Sequence, residues 1–144
     1  METYVVKKQI HINAPQALVW DALTNPEKTE QYFFNCRISA DWEPGGNIAF
    51  DGKMFWFIPI HMQGKIDDIK PGKLLKYTLN NRGSDTKSTV TDTLTSVNGG
   101  TFITVTDDVG GGKGAEKRFK RSQKGWDKVL KGLKELVENE VDSG

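Results

Sequence analysis

Between Tyr4 and Ile12 the side chains alternate. Val6, Ile10 and Ile12 fall on one parity, and Lys7, Gln9 and His11 on the other. A period of two predicts a strand with one buried face. Asn13, with Pro15 and Gln16 after it, has the spacing of a capping box and predicts a short helix from Pro15 to Leu23. Asn25-Pro26-Glu27 predicts a second, running to about Tyr32. Alternation then returns in Ile38, Ala40 and Trp42, and after the turn Pro44-Gly45-Gly46 in Ile48 and Phe50. The stretch MFWFIPIHM, residues 54–62, is apolar on both parities, and Pro59 excludes a central ladder position there. Further strands are predicted from Ile60 to Ile69, around Leu75, Tyr77 and Leu79, from Ser88 to Val97 and from Gly100 to Asp108.

The last segment changes period. Ala115, Phe119, Ser122, Trp126, Val129, Leu130, Leu133, Leu136 and Val137 form one stripe of a helix from about Ala115 to Val141. At 1.5 Å per residue that helix spans roughly 40 Å. A meander of antiparallel strands cannot cover its own apolar face, and one long amphipathic helix can. The prediction is an α+β fold: a curved seven-stranded antiparallel sheet around a long C-terminal helix, with two short helices after the first strand. Space can remain inside such a sheet.

Composition narrows the class. The 144 residues suit one domain, 1–144, with one core. Hydrophobic residues make 36% and charged residues 27%, which excludes disorder, and a net charge of +1 gives no global field for nucleic acid or membrane. The single cysteine, Cys36, cannot form an internal disulfide, and its parity with Ile38 makes it a small core residue. No apolar leader or membrane-length run is present, so a cytoplasmic monomer is expected.

Several constellations are candidates for chemistry. Gly110, Gly112 and Ala115 satisfy a dinucleotide-type glycine pattern, but no parallel strand follows and Gly114 stands where a phosphate loop needs Ser or Thr. The segment reads as a flexible hinge into the final helix. His11 and His61 lack metal-ligand spacing and point outward, so no metal and no cofactor are expected. The final helix carries Lys113, Lys117, Arg118, Lys120, Arg121, Lys124, Lys128, Lys131 and Lys134 against Glu116 and Asp127. A solvated face or an acidic partner explains this, and the lack of interleaved aromatics argues against nucleic acid. Gly125 and Gly132, beside Trp126, suggest space near that helix.

The last hairpin holds the sharpest detail. A two-residue Asn98-Gly99 turn pairs Val97 with Gly100. Leu94 then faces Ile103, Asp92 faces Val105, and Val90 faces Asp107, which puts both carboxylates on the inward face, roughly 7–8 Å apart at the backbone. A charged carboxylate in a closed apolar core is costly. Either the pair lies at a solvated mouth or pairs with Lys113, or it recognises a ligand or acts as an acid/base pair.

Ile12-Asn13-Ala14-Pro15, Val19-Trp20-Asp21-Ala22-Leu23-Thr24-Asn25-Pro26-Glu27, Trp42-Glu43-Pro44-Gly45-Gly46, Gly64-Lys65-Ile66-Asp67-Asp68-Ile69-Lys70-Pro71 and Gly125-Trp126-Asp127-Lys128-Val129-Leu130 come in the order found in the START-like helix-grip superfamily. The chain resembles most closely the bacterial family related to the C-terminal domain of the activator of the ninety-kilodalton heat-shock chaperone's ATPase. Tyr32-Phe33 stands where that family often has Trp-Phe, and Asp107 where it often has His. The resemblance implies a cavity between sheet and helix, and roles in hydrophobic-ligand or lipid binding, or in chaperone regulation and stress response. Ligand-binding candidates are Tyr32, Phe33, Trp42, Phe50, Phe55, Phe57, Met62, Tyr77, Asp92, Asp107, Phe119, Ser122, Trp126, Val129 and Leu133. The leading expectation is non-catalytic binding of a small hydrophobic molecule. Regulation of a chaperone or another, acidic protein comes second. A cyclase- or hydrolase-type enzyme using Asp92 and Asp107 comes third, because no His, Cys or Ser set converges inward.

Overall fold

The computed structural model describes residues 4–54, 58–80 and 86–143, with side chains except those of 53, 54, 58–60 and 143. Seven strands and three helices follow in the predicted order. They are β1 (Val5–Ile12), α1 (Gln16–Thr24), α2 (Pro26–Tyr32), β2 (Arg37–Ala40), β3 (Asn47–Met54), β4 (Ile58–Lys70), β5 (Leu74–Asn80), β6 (Lys87–Val97), β7 (Gly100–Asp108) and α3 (Ala115–Ser143). All neighbours are antiparallel, in the order β1-β7-β6-β5-β4-β3-β2. Strands β2 to β7 form a meander, and β1 closes onto β7. Because β1 and β2 lie at opposite edges, the chain between them must cross the open face, and α1 and α2 form on that crossing.

The turns follow their residues. Asn98 and Gly99 both have positive φ, 52° and 79°, the primed turn whose twist matches a two-residue hairpin, and Val97 pairs with Gly100 as the spacing requires. Pro59 pairs with Lys53 of β3, while β4 meets β5 only from Gly64 onward. The proline therefore sits where the strand has one neighbour and needs one fewer donor. A register shift between Ile66 and Asp68 kinks β4 and adds to the curvature of the sheet.

Burial of the inward parities of the strands against α3 makes the core. Ile12, Ile48, Phe50, Ile66, Ile103 and Val105 meet Val129, Leu133 and Val137 of the helix, all nearly inaccessible to water. Cys36 is buried among them as a free thiol, and burial raises its pKa. The short helices are fixed by polar side chains. Thr29 Oγ1 accepts from the Ile38 amide at 2.9 Å and donates to the Pro26 carbonyl, and Thr101 Oγ1 donates to the Ala14 carbonyl at 2.8 Å.

Two local expectations are corrected. Pro15, not Asn13, occupies the N-cap of α1, and no side chain caps it. Gln16 instead donates to the Gly72 and Leu94 carbonyls, tying α1 to the sheet, and the Asn13 amide donates to Glu138 of α3 at 2.8 Å. The glycine segment before α3 is no free hinge. The Arg118 guanidinium donates to the carbonyls of Val109, Gly111 and Lys113, at 2.9–3.0 Å, and holds the loop to the helix.

Candidate functional site

Between the sheet and α3 lies a hollow lined by Leu23, Tyr32, Phe33, Ile38, Ile48, Phe50, Leu75, Tyr77, Asp92, Ile103, Val105, Trp126, Val129, Leu130 and Leu133. Its volume is about 20 Å³, enough for one water-sized occupant. Aromatic rings pack against one another in its wall. Phe33 meets Phe50 at 5.4 Å and Trp126 at 5.6 Å between ring centroids, both edge-on, and Phe50 tilts against Tyr77 at 5.6 Å. These are the separations at which offset and edge-to-face rings attract. Tyr32 donates its hydroxyl to the Ala22 carbonyl at 2.7 Å, which joins the end of α2 to α1 and fixes the ring.

Asp92 is the one ionised type of side chain in this wall. It is 4% exposed, and its Oδ1 has no hydrogen-bond partner among the described residues. Burial, and then the neighbouring charge of Asp107, pushes its carboxyl up to about 7. Tyr32 and Tyr77 have pKa values well above the ordinary phenol range, first from burial and then from the charge of Asp92. The hairpin register is as the sequence predicts: Asp92 opposite Val105 and Val90 opposite Asp107. Asp107 stands beside the hollow. Its Oδ2 accepts from Ser122 Oγ at 2.7 Å and Trp126 Nε1 at 3.0 Å, and its Oδ1 has no partner among the described residues. Its partners lie on α3, and they are Ser122 and Trp126 rather than Lys113, one of the alternatives the sequence allows.

Of the predicted site residues, Tyr32, Phe33, Phe50, Tyr77, Asp92, Trp126, Val129 and Leu133 come together around the hollow. Trp42 and Met62 are half-buried and pack on the core outside the lining. Phe119 packs edge-on against Tyr4 at 5.9 Å, away from the site, and Ser122 acts on Asp107. Phe55 and Phe57 lie outside the described residues. Leu23, Ile38, Ile48, Leu75, Ile103, Val105 and Leu130 also line the hollow. Their inward parity marks them in the sequence as core, and nothing in the pattern separates a cavity wall from packed core.

Gly125 and Gly132 do not border the hollow as expected. A Cβ on Gly132 would fall 2.9 Å from Tyr32 Cβ, so glycine there lets α3 approach the end of α2. A Cβ on Gly125 would meet the Phe34 ring at an ordinary 3.5 Å. Phe34 and Asn35 both take positive φ, 49° and 59°, directly after Phe33 caps α2. Phe34 is 44% exposed, with Lys128 Nζ 5.9 Å from its ring centroid. On the basic face, Lys120 pairs with Glu116, Lys134 with Glu138, and Lys8 of β1 with Asp127. Lys117, Arg121, Lys124 and Lys131 are exposed without a partner among the described residues. His61 pairs with Asp51 on the surface, which raises its pKa. His11 shares a hydrogen bond with the Val97 carbonyl.

A meander of antiparallel strands gripping one long helix, with an aromatic hollow between them, defines the START-like helix-grip class. The family described as activator of Hsp90 ATPase homolog 1-like protein matches residues 13–138, and the chain belongs to that family. Among solved structures, protein MLL2253 from Mesorhizobium loti superposes with a TM-score of 0.78 at 23% identity, over 94% of this chain and 97% of that one. ChR145 from Cytophaga hutchinsonii has a TM-score of 0.75 at 28% identity, over 99% of both chains. Protein NE0264 from Nitrosomonas europaea reaches 0.78 at 20% identity, over 96% of this chain and 97% of that one. Comparison with curated proteins gives no match. Among the described residues, no helix is long and apolar enough to cross a membrane.

Proposed function

We propose that the protein binds a small, largely apolar molecule between the sheet and α3, without chemistry of its own. The observation that supports this most is the wall itself, an apolar lining of aliphatic and aromatic side chains interrupted by one buried carboxylate whose Oδ1 has no partner among the described residues. Apolar pockets with a few convergent polar groups are the usual small-molecule sites. A hollow of about 20 Å³ is the closed form, so an occupant enters by displacing a side chain. Phe33 is the one to move. It is only half-buried, it touches Phe50 and Trp126, and the two left-handed residues after it form a backbone bend that can swing its ring.

Titration with naphthalene, followed by tryptophan fluorescence and amide chemical shifts, tests this reading. A dissociation constant in the micromolar range, about −8 kcal/mol, is expected, with shifts at the lining residues. Phe33→Ala should speed entry and tighten binding. Absence of any binding in both proteins would overturn the reading.

A second reading has its own support: exposed Phe34 beside Lys128, continuous with the unpaired cations of α3, would suit an acidic protein partner. Shifts confined to that face on adding such a protein, with none in the interior, would favour it. We place the protein in the cytoplasm, on the strength of its lone free thiol.

A further inference from the structure

The interior leaves two side-chain atoms unserved. Among the described residues, Asp92 Oδ1 and Asp107 Oδ1 are the buried side-chain polar atoms without a hydrogen-bond partner. They come from diagonal positions on neighbouring strands and point to the same side of the sheet. Buried polar groups in folded proteins are nearly always satisfied, so two orphans on one face call for a common partner.

The described residues around them supply none. From α2, Tyr32 faces Asp92, but its hydroxyl is committed to the Ala22 carbonyl. From β5, Tyr77 feels the charge of both carboxylates, yet its hydroxyl donates to neither Oδ1. From α3, Ser122 and Trp126 already serve the other oxygen of Asp107. Among the described residues, no lysine, arginine or histidine lines the hollow. The site therefore offers one acidic oxygen in its wall, Asp92 Oδ1, a second beside it, Asp107 Oδ1, no cation among the described lining residues, and the aromatic side chains of Phe33, Phe50, Tyr77 and Trp126.

We propose that the molecule taken into this hollow carries a protonated amine, which Asp92 and Asp107 hold together while the aromatic rings pack its apolar body. This rests on the ligand-binding reading above and names the ligand's chemistry. A hydroxyl has one hydrogen to give and would leave one oxygen orphaned, and a water, which the closed hollow fits, has two but brings no charge against the carboxylates. An ammonium has three, and its charge offsets that of the carboxylates. Aromatic faces around it add cation–π attraction, strongest where water is excluded. An anionic ligand would meet like charge and is excluded by the same geometry.

The pH response follows. With its carboxyl near 7, Asp92 is part-protonated at neutral pH. An ammonium takes the place of that proton, so the complex gains strength as the pH rises past 7.

A matched pair of probes decides the matter on the full chain: 1-ethylnaphthalene and 2-(1-naphthyl)ethylamine, titrated against the wild type and Asp92→Asn at about pH 6 and pH 8. At pH 8 the amine should bind about tenfold or more tightly than the hydrocarbon, and the advantage should shrink at pH 6. Asp92→Asn should lose most of that advantage, the affinity for the amine falling toward that for the hydrocarbon. Asp107→Asn, whose carboxamide oxygen can still accept from Ser122 and Trp126, should act in the same direction. Equal affinity for the two probes, or an equal loss of both in Asp92→Asn, would overturn the amine proposal and leave the ligand-binding reading standing. Failure of both probes to bind would overturn the two together.

Discussion

Asp92 and Asp107 are the same residue type, on adjacent strands, on the same face of one sheet. The region around Asp107 is half finished: α3 brings it a hydroxyl and an indole N–H, both to Oδ2, and leaves Oδ1 without a partner among the described residues. The region around Asp92 is open: it faces the hollow, and no donor reaches its Oδ1. The difference shows what α3 contributes besides apolar cover. Where the helix passes with a polar side chain at the right height, the carboxylate becomes part of the structure. Where it passes with Val129 and Leu133, the carboxylate is left available. A fold that needed only stability would have an apolar residue at position 92, since a buried group of this kind destabilises more than it helps.

Trp126→Ala should break the contrast most severely. It removes a buried ring, 8% exposed, and a donor to Asp107, leaving that carboxylate closer to the condition of Asp92. A loss of about 3–5 kcal/mol is expected in urea denaturation, and a loss under ~1 kcal/mol would show that the indole is not part of the core.

Asp92→Asn should narrow the contrast from the other side, by removing the open charge. The folded protein holds the Asp92 carboxyl at about 7 against an ordinary 3.8, so between those values the folded state keeps a proton that the unfolded state has lost. Stability therefore falls as pH rises through that window and levels off above it. The variant should lack this fall and be more stable than the wild type by on the order of 1–3 kcal/mol at pH 8. Denaturation midpoints across pH 4 to 8 would check this, and parallel curves for the two proteins would contradict it.

Two glycines of α3 sharpen the comparison with smaller effects. Gly132→Ala would drive a Cβ to 2.9 Å from Tyr32, on the open side, and should cost about 1–3 kcal/mol by thermal unfolding. Gly125→Ala, beside Trp126 on the half-finished side, meets only the Phe34 ring at 3.5 Å. Alanine's better helix propensity should make it neutral or stabilising by up to about 1 kcal/mol. Equal losses at both positions would mean that α3 is packed alike along its length.

Much of the fold was legible because strand alternation and the helix stripe are long and regular. The register of the last hairpin followed from two residues, Asn98 and Gly99, because a primed two-residue turn leaves no freedom of pairing. That register alone carries both carboxylates to the inner face. What failed was local chemistry shared with distant parts of the chain. Gln16 had the spacing of a capping partner, yet Gly72 and Leu94 claim it, and both are far away in sequence. Gly132 suggested empty space and marks a close approach, because glycine signals that room is needed without saying whether a void or a backbone occupies it. Arg118 fell within a run of basic residues, and only its geometry shows that it holds the loop before α3. Of the candidate site, the aromatic residues were found by type, whereas Trp42 and Phe119, of the same type, pack elsewhere. The size of the hollow has no sequence signal at all, because it is the small remainder after large volumes are packed.

The pairing of β1 with β7 sets the order in which the molecule can be completed. Val5 lies against Asp108 and Ile12 against Thr101, so the first strand waits for about a hundred residues of chain before its partner exists. The meander from β2 to β7 closes hairpin by hairpin, each over a short loop, whereas joining β1 means closing a loop nearly as long as the sheet is complex. Until then Val6, Ile10 and Ile12 have nothing to cover them, and during synthesis this strand edge is the segment most open to pairing with the wrong neighbour. The lysines at 7 and 8, alternating with or flanking those apolar positions, are then as useful to the nascent chain as to the finished one.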